Sequence, residues 1–89
     1  MTLTVTGPVT LAEAPRWREA ILKAIEHDSP RIDLAASGPW DLAGLQLLIA
    51  AIRSGRGVRF CRVPGVVVAI AARAGVVERL GEAVDDYVD

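Results

Sequence analysis

The sequence predicts an α/β fold: a small mixed four-stranded sheet with helices mainly on one face. Three observations carry this. Short segments alternate polar and apolar residues with a period of two, and the longer segments between them repeat apolar residues at helical spacing. The strands also put Thr2, Thr4, Arg31, Asp33 and Arg59 on their second face, whereas a sheet covered on both sides reads as continuous apolar runs. With 89 residues there is room for one hydrophobic core and no second one. The expectation is therefore one domain over residues 1–89, with its core from about residue 3 to 80, a helical tail over 81–89 and a radius of gyration of about 12 Å.

Thr2-Leu3-Thr4-Val5-Thr6 alternates without a fault and predicts a strand with Leu3 and Val5 inward. Gly7-Pro8 marks a turn, after which Val9 to Leu11 returns as a second extended piece. Thr10 and Glu13 have capping-box spacing, but a helix starting there would hold Pro15 too deep, so the first helix is placed from Ala14. Ala14, Trp17, Ile21, Ala24 and Ile25 form its inward face, and Asp28-Ser29-Pro30 stops it. Arg31 to Ala35 alternates again, with Ile32 and Leu34 inward. Ala36 to Trp40 is read as a loop leading to Asp41, an N-cap for the second helix. Leu42, Leu45, Leu48, Ile49 and Ile52 form the stripe of that helix, and Ser54 to Gly57 ends it. Val58 to Cys61 is the fourth strand, parallel to the one from Arg31 because a helical crossover joins them. Pro64 opens a third helix that ends at Gly75. Val66 to Ala72 is apolar all round, so with Val67, Ile70, Ala71 and Ala74 inward, the helix either shows Val66, Val68 or Ala69 to a partner, as in a homodimer, or packs on the last segment. That segment carries a docking stripe of Leu80, Val84, Tyr87 and Val88, with Glu82, Asp85, Asp86 and Asp89 toward water.

Composition narrows the function. A net charge of -1 and 4% aromatic residues lack the cationic excess and stacking platforms of a nucleic-acid binder. The single cysteine, Cys61, permits no internal disulfide and suits a reducing compartment, so a cytoplasmic location is expected. The charge-free stretches, Met1 to Ala12 and Leu42 to Ile52, are shorter than the roughly 18 apolar residues of a membrane span, and the start does not read as a secretory signal.

The groups needed for catalysis do not gather in the sequence. His27 is the only histidine, and with one cysteine there is no ligand set for a structural zinc. His27-Asp28-Ser29 has the residue types of a hydrolase triad, but adjacent positions point apart and cannot form the relay, so His27 is read as sitting against the negative end of the first helix. Ser54-Gly55-Arg56-Gly57 lacks the length and lysine of a phosphate loop. No enzyme activity and no cofactor are expected. Two features bear on binding. Arg53, Arg56, Arg59 and Arg62 cluster around the fourth strand, as a basic edge or a solvated face. Trp40-Asp41-Leu42-Ala43-Gly44 is the other: Trp40 either offers a binding anchor beside a helix N-terminus or folds back over the core, and Gly44 permits close approach of another backbone.

Ile32-Asp33-Leu34 followed by Asp41-Leu42-Ala43-Gly44-Leu45-Gln46-Leu47-Leu48 resembles the signature of STAS domains, the sulfate-transporter and anti-sigma-factor-antagonist family. Gly57-Val58-Arg59-Phe60, the helix after Pro64 and Ala74-Gly75-Val76-Val77 sit where that family has its last strand, penultimate helix and a glycine with an apolar follower. The likeness runs from Leu3 to about Leu80. It implies a STAS-like fold and a non-catalytic protein interaction module of bacterial signalling, similar to anti-sigma factor antagonists, which bind a serine kinase that doubles as an anti-sigma factor. Trp40, Asp41, Leu42, Ala43, Gly44 and Gln46 are the implied partner-binding residues. The phosphorylated serine of that family falls at Ala43, which has no hydroxyl, and Ser37 is the nearest substitute. Ala43 therefore resembles the permanently unphosphorylated state. The wording from Asp41 to Leu48 is also similar to STAS proteins of chemotaxis. The alternative implied role is an accessory subunit of an ABC-type phospholipid transport ATPase.

Overall fold

The computed structural model describes residues 2–88. In chain order the elements are β1 (Thr2–Thr4), β2 (Gly7–Val9), α1 (Ala14–Ala24), β3 (Arg31–Asp33), β4 (Ser37–Trp40), α2 (Leu42–Arg53), β5 (Arg59–Cys61), α3 (Gly65–Arg73) and α4 (Val77–Glu82). β1, β3 and β5 form a three-stranded sheet in the order β1-β3-β5, and β2 pairs with β4 in a second one. Each of these pairings is parallel.

The expected single mixed sheet is thus corrected to two small parallel ones. β2 begins at Gly7 and not at Val9, and it does not return along β1. Gly7 has a φ of 73°, which bends the chain into a new direction without reversing it. Its N–H donates to the carbonyl of Ala36 (3.0 Å), carrying the partnership of β1 and β3 over to β2 and β4. β4 itself replaces the loop expected over Ala36 to Trp40. The strands from Arg31 and Val58 run parallel, as the helical crossover between them predicts.

Register explains which face is covered. Leu3, Ile32 and Phe60 align across the sheet; Ile32 and Phe60 are wholly buried and Leu3 packs against the core. The flanking rows Thr2–Arg31–Arg59 and Thr4–Asp33–Cys61 hold the polar residues of the other face. Trp17 and Ile21 of α1 with Ile25 just after it, Leu45, Leu48 and Ile49 of α2, Val67 and Ala71 of α3, and Leu80 of α4 complete one core cluster. The radius of gyration of the chain is 11.5 Å.

Several helix ends differ from expectation for identifiable reasons. α1 stops at Ala24, where Arg56 reaches across to donate from Nε to the carbonyl of Ile25 (3.0 Å). Arg56, and not the exposed His27, therefore serves the negative end of α1. Leu42 and Ala74 are exposed, so each falls outside the stripe of its helix. Among the described residues the tail is not helical beyond Glu82. Residues 83–88 run alongside β5, with Phe60 opposite Val84 and Val63 opposite Tyr87. The N–H of Phe60 bonds the carbonyl of Ala83 and the N–H of Asp85 bonds that of Phe60 (both 2.8 Å). Asp89, expected to face water, lies outside the described residues.

Candidate functional site

The start of α2 is assembled by Asp41. Its extended backbone (φ −136°) places the carboxylate over the first turn, where one oxygen accepts the N–H of Gly44 (3.0 Å). The other accepts the N–H of Leu11 (2.9 Å), thirty residues earlier. One side chain thus caps the helix and pins the turn after β2 against it. Those two N–H groups, that of Leu11 foremost, hold the Asp41 carboxyl below the usual carboxylate range.

The six residues implicated by sequence fall into two sets. Trp40 is buried at 7% exposure, and its indole N–H donates to the hydroxyl of Ser37 (2.9 Å). It folds back over the core and is not a surface anchor. Gly44 is buried as well: a Cβ there would lie 2.2 Å from the carbonyl oxygen of Val9 and 2.8 Å from the Trp40 ring. The close backbone approach expected at Gly44 is made by β2 of the same chain, so Gly44 is corrected from partner contact to packing position. Leu42 and Gln46 are exposed and Ala43 is half-buried. Leu11, which sequence reasoning passed over as the end of a strand, is 73% exposed in the turn that Asp41 holds. Its signal was an apolar residue in a turn, four residues before Pro15.

Ser37 is fully engaged. Its hydroxyl donates to the carbonyl of Leu34 (2.6 Å) while accepting from Trp40. A phosphate there would remove the hydrogen that Ser37 donates to Leu34.

Beside this helix start an open groove of about 770 Å³ runs between α2 and the α3–α4 turn, walled by Leu45, Ile49, Ala50 and Val76, with Arg53 at its border. A shallower depression over Trp40, Asp41, Ile70 and Arg73 adjoins it, since Leu42 and Ala74 line both. The exposed surface is therefore mainly apolar, with Asp41, Gln46, Arg53 and Arg73 among its lining and the capped start of α2 between the two depressions. Among the described residues no three His, Cys, Asp or Glu side chains converge as metal ligands, and no helix is long and apolar enough to cross a membrane.

The four arginines do not form a basic edge. Arg59 donates to Asp85 (2.8 Å) and to the carbonyl of Glu82 (2.7 Å), Arg62 pairs with Asp33, and Arg56 is spent on α1. Only Arg53 is left to the groove. Cys61 lies among these charges and not among apolar neighbours; burial and the Asp33 carboxylate push its thiol up. Arg62 has a φ of 53°, an uncommon conformation for a non-glycine residue, and its main-chain N–H donates to Asp86 (2.9 Å).

The model of the STAS domain family matches residues 1–87. A crystal structure of a sulfate transporter family protein from Wolinella succinogenes has a TM-score of 0.71 to this chain, covering 99% of it and 77% of that chain at 24% identity. No curated protein gives a sequence match.

Proposed function

The chain belongs to the STAS domain family, and on that premise we propose that it is a non-catalytic protein interaction module of bacterial signalling, docking through the start of α2. The observation that carries this reading is the double use of the Asp41 carboxylate. By holding both α2 and the turn at Leu11, it fixes the turn of Leu11 against the helix start that presents Leu42, Ala43 and Gln46. Rigid apolar patches lose little entropy when a partner covers them. The partner is a serine kinase/anti-sigma factor or a chemotaxis component, recognised in the manner of an anti-sigma factor antagonist.

Ala43 gives this reading its particular character. A phosphate at the second position of a helix adds about −2 charge in an apolar interface, which is how a phosphorylated serine there would release a partner. Ala43 cannot carry one, and Ser37 is committed inside the fold. The module is therefore binding-competent at all times, and control lies with its partner or its abundance.

The test is capture from the native cytosol with the wild type, Ala43→Glu and Leu42→Asp, followed by affinity measurement with the isolated partner. A kinase-like ATPase or chemotaxis protein retained by the wild type and lost in both variants supports the proposal. Retention of an ABC-type ATPase with phospholipid-transport subunits moves the chain to the transport role. A partner indifferent to both variants removes the α2 start as the docking surface.

A further inference from the structure

The three-stranded sheet has two edges, and they are treated differently. The β5 edge is closed by residues 83–88. Besides the two bonds at Phe60, Val63 donates to the carbonyl of Asp86 (3.1 Å) and Val88 to that of Val63 (3.0 Å). β1 stands at the other end of the strand order. Val5 donates to the carbonyl of Asp33 and Gly7 to that of Ala36 (both 3.0 Å), so the odd-numbered residues turn their main-chain groups toward the neighbouring strand. Strand alternation sends those of Thr2, Thr4 and Thr6 the other way. Among the described residues, the N–H and C=O of Thr6 have no main-chain partner.

Open edges are normally guarded by a charge, a proline or a bulge, because a row of unpaired N–H and C=O groups templates pairing with another chain. Here residues 1–7 contain none of the charged residues or prolines that serve this purpose. Thr2, Thr4 and Thr6 are all exposed. Threonine is a β-branched residue that favours strands and makes favourable cross-strand pairs with itself.

We propose that the β1 edge is a homodimer contact, in which β1 of a second copy pairs antiparallel about a two-fold axis at Thr4. That register sets Thr4 opposite its own counterpart and Thr2 opposite Thr6, and the outward main-chain groups of one copy meet those of the other. The occupant is a second copy because a two-fold contact requires a self-complementary strip. An uncharged strip with the same residue type at symmetric positions meets that requirement, and it offers no counter-charge to select a different strand. So short a strip buries less than the ~1,200 Å² of a standard stable interface, which makes the dimer a weak, concentration-dependent one.

Sedimentation equilibrium from micromolar to millimolar protein, with amide exchange followed by NMR over the same range, tests the pairing. The expected result is an average mass that rises with concentration while exchange at Thr4 and Thr6 slows. Thr4→Pro removes an N–H that does not bond β3, and it should leave a folded monomer. Thr4→Lys, which brings like charges together across the axis, should weaken association at least tenfold, and it decides the matter if the proline variant does not fold. Leu42→Asp and Val66→Asp should leave association unchanged. A strict monomer at millimolar concentration overturns the proposal. So does a dimer that survives both Thr4 variants, or one lost in Leu42→Asp or Val66→Asp.

Discussion

Gly44 and Ala43 are neighbours in one turn of α2, yet they belong to different halves of the molecule. Gly44 faces inward with Trp40 and Leu45, against the carbonyl of Val9. Ala43 belongs with Leu11, Leu42 and Gln46 on the outer half. Asp41 sits on the boundary and binds one N–H from each region, Gly44 on the inner side and Leu11 on the outer. The difference teaches that a short motif divides into positions that build the surface and positions that are the surface. Mutations on the two sides should then separate stability from binding.

The inner half should yield the largest stability losses. Trp40→Ala removes a buried indole that covers the core, and truncations of this kind cost about 3–5 kcal/mol. Urea denaturation should show the midpoint fall with an unchanged m-value. A loss below 1 kcal/mol would mean that the ring is not a core element. Gly44→Ala comes next, because overpacking costs about 1–3 kcal/mol. Here the upper end is expected, since the obstacle is a backbone carbonyl 2.2 Å away and not a flexible side-chain end. The same denaturation experiment ranks the two.

Much of this arrangement is legible in the sequence, and what is not has physical causes. The Asp41 cap, the inward faces of α1 and, apart from Leu42, of α2, and the parallel crossover all follow from local periodicity and capping chemistry. β4 was hidden because Gly38-Pro39 is a turn signal in isolation, and only its pairing with β2 makes the segment a strand. The tail misled in the opposite direction. Leu80, Val84, Tyr87 and Val88 fit a helical stripe, but Val84 and Tyr87 are spaced to meet Phe60 and Val63 across a strand pairing. Nothing local tells these apart, because the deciding partner lies more than twenty residues away. The side on which Trp40 falls was likewise open until Ser37 supplied a partner for its indole N–H.

The boundary itself is sharpened by pH. The Asp41 carboxyl is depressed in the folded protein by the N–H groups of Leu11 and Gly44. It therefore contributes stability that is fully present above its unfolded value of about 3.9, and this is lost as pH falls through the lower folded value. Asp41→Asn abolishes that linkage. The melting temperature of the wild type should exceed that of the variant by a constant margin at neutral pH, and the margin should close below about pH 4. Asp33, depressed by its bond to Arg62, leaves both proteins with some acid sensitivity. A margin that does not depend on pH would show that the charge of Asp41 is not what holds the turn at Leu11.

Ala43→Glu should have the smallest effect on stability, and it tests the outer half most directly. The residue is half-buried at the edge of the surface, and changes at such positions usually fall within ±0.5 kcal/mol. An acidic side chain in the first turn is also favoured by the helix dipole, worth about 0.3–1 kcal/mol, which opposes any packing loss. Thermal denaturation should therefore find the variant as stable as the wild type. Partner affinity should nonetheless fall at least tenfold, because the new carboxylate must be desolvated within an apolar contact. That pairing of outcomes is the opposite of the one expected at Gly44, one residue further along. If Ala43→Glu instead lost stability and affinity in parallel, the division between the two halves would fail, and the start of α2 would act as a single structural unit.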